Sequence, residues 1–205
     1  IHILGYFIDY TRPELLVRLQ EIRQERRNRA CKMVKKLKIM GIDIEYERVA
    51  ELAQGDLIGR PHIARALIEK NYARDINDAF ARFIGKGRPA YVPRYKFHPC
   101  EAVELIHQAG GVAVLAHPGL LIKKQLVNNV IEMGIEGLEV FYPEHDYGMV
   151  QLFIDLRRKN GLFMTGGSDF HGPDSSENRG SLGCFGIDRE AFNRVQQCWS
   201  EKYKK

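Results

Sequence analysis

Apolar residues over 13–41 recur at spacings of three and four, through Leu15, Leu19, Ile22, Ala30, Met33 and Leu37, and the stripe is broken only where Arg26 falls on it. That period predicts one long amphipathic helix. Asp9 or Thr11 supplies its cap, Pro13 sits in its first turn, and Gly41 closes it. Shorter helical patterns follow at 47–54, 61–70 and 76–84, up to the loop Gly85-Lys86-Gly87-Arg88-Pro89. From Pro99 the rhythm changes. A helix over 99–109 stops at Gly110-Gly111, and the apolar run VAVLA (112–116) reads as a buried strand. Then come a helix at 123–133, a strand at 138–141, a helix at 147–159, a strand at 162–165 and a last helix at 188–199. Strands and helices alternating at this interval predict βα units around a parallel sheet. The chain therefore divides into a first strand at 1–9, an all-helical insertion at 10–95, and an α/β portion at 96–205 that reads as part of a barrel.

Composition narrows the class without changing that picture. With 205 residues, 44% hydrophobic and 28% charged, the chain has material for one large core or two small ones. The net charge of +5 favours an anionic partner only weakly, because much of the excess sits between Arg23 and Lys38. Cys31, Cys100, Cys184 and Cys198 form no C-x-x-C pair, which excludes a zinc ribbon and a disulfide-stapled scaffold. No apolar run approaches the ~18 residues of a membrane span, and reduced thiols with no leader pattern predict a cytoplasmic protein. The opening IHILGYFI begins inside a strand pattern that needs neighbours, so an N-terminal portion is expected upstream of Ile1.

Candidate chemistry gathers where strands end. Ser168-Asp169-Phe170-His171 follows LFM and Gly166-Gly167; on an extended segment Asp169 and His171 share a face, as two ligands of one divalent ion would. His117 follows VAVLA, and Tyr142 with Glu144-His145-Asp146 follows LEVF. In α/β barrels the side chains that do chemistry come from the C-terminal ends of several strands. Taken singly, His117 or His145 reads as a hydrogen-bonded strand-end residue, and His2, between Ile1 and Ile3, as a satisfied core histidine. His98 and His107 read as surface residues.

The stretches IHILGYFID (1–9), GRPHIARAL (59–67), AVLAHPG (113–119) and GSDFHG (167–172) together resemble the polymerase-and-histidinol-phosphatase family of metal-dependent phosphoesterases. Within it they are most similar to the branch of nucleoside 3′,5′-bisphosphate phosphatases and 5′-3′ exoribonucleases acting on short RNA. The resemblance implies a distorted (β/α)7 TIM-like barrel carrying a helical insertion, here its C-terminal part. It implies up to three divalent metals, manganese above all, with iron or zinc as substitutes. His2, His117, Asp169 and His171 match family metal ligands. The family's N-terminal H-x-H, T-D-H and glutamate elements have no counterpart in this sequence, which leaves a shortened ligand set.

The same resemblance implies hydrolysis of a nucleotide or short oligonucleotide phosphate ester, with Asp169 and His171 as the catalytic pair. Substrate holding has its own candidates. Gly59-Arg60-Pro61 opens a helix whose free N–H groups favour an anion, and His62 and Arg65 share a face, so Arg60, His62 and Arg65 form a candidate phosphate clamp. Arg88 and Tyr91 are candidates for phosphate contact and base stacking. Two other readings stay open: a nucleotide-binding or nucleic-acid-binding module with an incomplete metal centre, and a histidinol-phosphate phosphatase. No membrane association and no obligate protein partner are expected.

Overall fold

The computed structural model describes residues 1–53, 55, 58–121, 125–172 and 181–203. In chain order its elements are β1 (Ile3–Tyr6), α1 (Pro13–Ile39), α2 (Tyr46–Leu52), α3 (Arg60–Glu69) and α4 (Ile76–Ala79), which runs into a π turn over Phe80–Ile84. Then follow α5 (Pro99–Gln108), β2 (Val112–Leu115), a 3-10 turn over Pro118–Leu120, α6 (Gln125–Glu132), β3 (Gly137–Phe141), α7 (Tyr147–Lys159), β4 (Phe163–Gly166) and α8 (Arg189–Tyr203). The chain is mixed α/β. It divides into two compact units, one of residues 1–15 with 97–205 and the other of 16–96.

The first unit is built on a four-stranded sheet in the order β1-β2-β3-β4. Strands β2, β3 and β4 run parallel, as the alternation of strand and helix predicts. Strand β1 does not: it pairs antiparallel with β2, Ile3 opposite Leu115 and Tyr6 opposite Val112. This corrects the all-parallel expectation. The reversal also has a chemical effect, because it sets the N-terminal end of β1 at the same sheet edge as the C-terminal ends of the other three strands.

Both faces of this sheet are covered, so its strands are apolar at successive positions. Ala113, Leu115, Leu138 and Val140 pack with Val103, Val130 and Phe153 of the helices on one face, while Val112, Val114 and Phe163 pack with Val195 of α8 on the other. Alternation along β3 therefore turns Glu139 away from Leu138 and Val140. Asp146 caps α7 by accepting the Met149 N–H at 2.8 Å. His98 caps α5, accepting the Cys100 N–H at 3.3 Å while Glu101 accepts the His98 N–H at 2.7 Å. His107 is half-buried rather than a surface residue, with Nε2 2.9 Å from Glu136.

The second unit closes around Met33, Val34 and Leu37 of α1, Val49 of α2 and Ile63 and Leu67 of α3. Each such fully buried side chain contributes about 1.5–3 kcal/mol. On the predicted stripe Leu15 is buried at 6% and Leu19 is 36% exposed, and the part of α1 that packs into the core of the second unit begins at Ala30. The pattern over 76–84 is helical throughout, yet its second half widens into the π turn. No helix among the described residues is long and apolar enough to cross a membrane.

A candidate metal and phosphate site

Because β1 is reversed, His2 stands just before its strand and His117 just after its own, at one edge of the sheet. The Ala116 N–H donates to the His2 carbonyl at 3.1 Å, which fixes the two backbones side by side. His2 Nδ1 then lies 3.0 Å from His117 Nε2, the rings edge-on at 4.9 Å. The contact is an N–H···N hydrogen bond between the two rings, and its length also matches the roughly 3.0 Å between neighbouring ligands bonded at about 2.1 Å to one octahedral cation, so a cation that displaced the shared proton would find both nitrogens near at hand.

The residues around this pair hold it in an unusual backbone. His117 has φ +30° and Asp169 φ +52°, two of the four non-glycine residues with positive φ among the described residues. Such conformations persist only where surroundings impose them, and they concentrate at functional sites. At His117 the restraint comes from both sides. Its N–H donates to Glu139 Oε2 at 2.8 Å, and two residues on the Gly119 N–H donates to His145 Nε2 at 3.1 Å. His145 is buried and its Nδ1 donates to the Val140 carbonyl at 2.9 Å, which fixes the neutral tautomer. Burial, partly opposed by that hydrogen bond, depresses its pKa.

Tyr142 links the histidine pair to the carboxylate. Its ring packs 5.3 Å from that of His117, and its hydroxyl donates to Asp169 Oδ2 at 3.3 Å. Glu139 is 6% exposed; burial raises its pKa, the His117 N–H opposes that, and the nearby Asp169 charge raises it further. Two carboxylates made costly to ionise together are the electrostatic complement of a bound cation.

His171 is placed differently. β4 ends at Gly166 and the left-handed Asp169 breaks the extended geometry, so the alternation argument for Asp169 and His171 does not apply. His171 keeps an exposed ring, with Nδ1 donating to the Asp169 carbonyl at 2.6 Å and lying 3.6 Å from Asp169 Oδ1. Among the described residues no three His, Cys, Asp or Glu side chains are gathered to hold a metal ion. His2, His117 and, through Tyr142, Asp169 are brought together, while His171 stays at the surface of the same turn.

The second unit carries a separate cluster of positive charge. Arg29 is half-buried, its Nε donating to the Val92 carbonyl at 2.8 Å, and its buried Nη2 finds no partner among the described residues. Burial first, then Arg60 and Arg94, depress its pKa. Arg60 lies 4.9 Å over the Phe80 ring and Arg29 6.0 Å from the Tyr91 ring centre. His62 turns back on its own helix, where Nδ1 accepts the Gly59 N–H at 3.1 Å; burial and then Arg65 lower its pKa. Arg65 and Arg88 are exposed.

Three residues escape the sequence patterns. Glu139 hides inside an apolar strand, and the lone carboxylate in GLEVF is the signal that marks it, since a buried charge needs a reason. Arg29 and Arg94 lie in a basic run and a loop, where nothing local distinguishes a gathered guanidinium from a solvated one.

No family model matches the chain. Over 178 residues it is 34% identical to the 5′-3′ exoribonuclease Rnm of Escherichia coli, covering 84% of this chain and 61% of that protein. It is 31% identical to the 3′,5′-nucleoside bisphosphate phosphatase of Chromobacterium violaceum, covering 84% and 63%. The crystal structure of a candidate metal-dependent phosphoesterase from Bifidobacterium adolescentis superposes with a TM-score of 0.74 at 27% identity, over 97% of this chain and 71% of that one. The chain thus spans a little over three fifths of the length of these two curated relatives.

Proposed function

We propose that the chain belongs with the polymerase-and-histidinol-phosphatase phosphoesterases and hydrolyses phosphate esters of nucleotides, either a nucleoside 3′,5′-bisphosphate or a short 5′-phosphorylated RNA, a reading that its likeness to named nucleotide phosphatases and exoribonucleases supports. In the same reading the four-stranded sheet is the C-terminal part of a distorted (β/α)7 barrel and residues 10–95 are a helical insertion. The observation that carries it is the His2–His117 pair, with ring nitrogens 3.0 Å apart beside two carboxylates.

His2 and His117 would hold a divalent ion, manganese first, with Asp169 as the carboxylate nearest to them. A cation there supplies charge neutralisation at a phosphoryl group and activation of water. Tyr142 keeps the Asp169 carboxylate oriented by donating to it. His171, exposed on the same turn, is the residue in reach of solvent and leaving group alike, and hands a proton to the departing oxygen. Arg29, Arg60, Arg65, Arg88 and Arg94 are the anion contacts of the helical unit, and Tyr91 its aromatic platform for a base. His62 serves that unit by capping α3.

The test is release of phosphate from a nucleoside 3′,5′-bisphosphate, and of mononucleotide from a short 5′-phosphorylated RNA, with and without Mn²⁺. Turnover that needs the metal and falls at least a hundredfold in His117→Ala and Asp169→Asn supports the reading. No turnover with Mn²⁺, Fe²⁺ or Zn²⁺ overturns it.

A second reading, nucleotide binding without turnover, has its own observation: the charge cluster at Arg29 is fully formed, whereas no three metal-binding side chains are gathered among the described residues. Equilibrium binding of the same bisphosphate in the absence of turnover would favour it.

A further inference from the structure

The left-handed turn at His117 has to be held by something outside the strand, because β2 ends at Leu115 and the ladder no longer reaches the His117 N–H. What receives that N–H is a carboxylate from the neighbouring strand. We propose that Glu139 is a positioning residue for the metal centre: it fixes the direction of the His117 imidazole through the backbone, without itself being a ligand. The proposal rests on the reading of His2 and His117 as a cation site.

Four observations carry it. Glu139 is 6% exposed in the second strand from the edge formed by β4, so its carboxylate has little choice of direction. Oε2 accepts the His117 N–H at 2.8 Å, a well-formed hydrogen bond that needs only an oxygen acceptor at that point. Oε1 packs against the other turn: a Cβ added at Gly167 would lie 3.1 Å from it. One carboxylate thus braces both turns, the one bearing His117 and the one leading to Asp169. Finally, the His117 conformation is one that non-glycine residues rarely adopt unaided, so removing the acceptor should let the turn relax and the ring swing away from His2.

A ligand or a purely electrostatic role makes different demands. Positioning requires an acceptor at the end of a side chain of this length and is indifferent to its charge. Glu139→Gln keeps length and an oxygen acceptor while removing the charge; Glu139→Asp keeps the charge but falls one methylene short. The imidazole resonances of His2 and His117, followed by ¹⁵N NMR in the metal-free protein, read ring pairing whatever the enzyme does. Mn²⁺ titration reads its consequence.

The expected result is that Glu139→Gln leaves the paired-ring signals in place and Mn²⁺ affinity within about threefold. Glu139→Asp should shift the His2 and His117 signals, spare that of His145, and weaken Mn²⁺ binding by roughly 10–100-fold, the size seen for groups that orient metal ligands. If Glu139→Gln disturbs the rings as strongly as Glu139→Asp, or if neither variant moves them, the proposal is overturned. Should the shorter variant fail to fold, the isosteric one decides alone: rings left in place support positioning, and rings displaced overturn it. Wild-type protein that binds no Mn²⁺ defeats the phosphoesterase reading instead, and the ring signals still decide the role of Glu139.

Discussion

Gly119 donates its N–H to the His145 ring, and that same ring occupies the space a side chain at residue 119 would need. A Cβ there would lie 2.6 Å from Cδ2 and 2.8 Å from Nε2 of His145, with Met149 Sδ at 3.1 Å. His145 is pinned to the Val140 carbonyl and has no easy retreat. Gly119→Ala should therefore destabilise the α/β unit by about 1–3 kcal/mol, the usual cost of overpacking. Urea denaturation followed by circular dichroism measures it; a change below about 0.5 kcal/mol would mean the ring moves freely.

The same histidine predicts a pH dependence of stability. Its folded-state pKa lies below the ordinary value because burial disfavours the imidazolium, so the unfolded chain binds the extra proton first. The contribution is fully present above the unfolded pKa, about 6.5, and is lost as pH falls from there through the folded value. His62 acts in the same direction and Glu139, with its raised pKa, in the opposite one. The difference between wild type and His145→Gln isolates one residue. Thermal melts from pH 7.5 to 5 should show the wild type losing more stability than the variant; parallel curves would exclude His145 as a source.

Arg29 is a like-charged neighbour of Arg60 and Arg94 with a buried N–H left over, an arrangement that costs stability unless an anion arrives. Arg29→Met should leave the fold within about 1 kcal/mol of wild type, since relief of repulsion offsets the lost bond to Val92. Affinity for a nucleoside 3′,5′-bisphosphate should fall roughly 10–100-fold, the weight of one charge-assisted contact. Calorimetric titration together with melting separates the two effects. Strong destabilisation with unchanged affinity would make Arg29 a structural residue.

If His2 and His117 serve one cation, their losses cannot add. His2→Ala and His117→Ala should each weaken Mn²⁺ binding at least tenfold, and the double variant should be little worse than either single one. Electron paramagnetic resonance of free Mn²⁺ gives the three affinities. Full additivity would place the two rings on separate ions.

Legibility in the sequence varies with how local the cause is. Helix α7 occupies 147–159, the residues its pattern picks out, because Asp146 caps it and apolar residues face the sheet, all within a few turns of chain. The mixed α/β class follows from the spacing of β2, β3 and β4. The direction of β1 is not legible, because pairing with β2 is a choice between distant segments that no local period encodes. Strand alternation would put Asp169 and His171 on one face, whereas β4 stops at Gly166 and Asp169 is already left-handed. Glu139 looks like an interruption in an apolar run, and only the turn of a neighbouring strand shows what it receives.

The pairing of β1 with β2 also bears on how the molecule assembles. These two strands are adjacent in the sheet although residues 7–111 lie between them, so zipping them together closes a loop of roughly a hundred residues, at an entropic cost of about 4 kcal/mol for a flexible chain. Contacts within residues 16–96 are local by comparison and can form before that closure, which shortens the slack to be gathered. The helices should thus acquire their packing first on refolding, and the two imidazoles should meet only in the last and slowest phase.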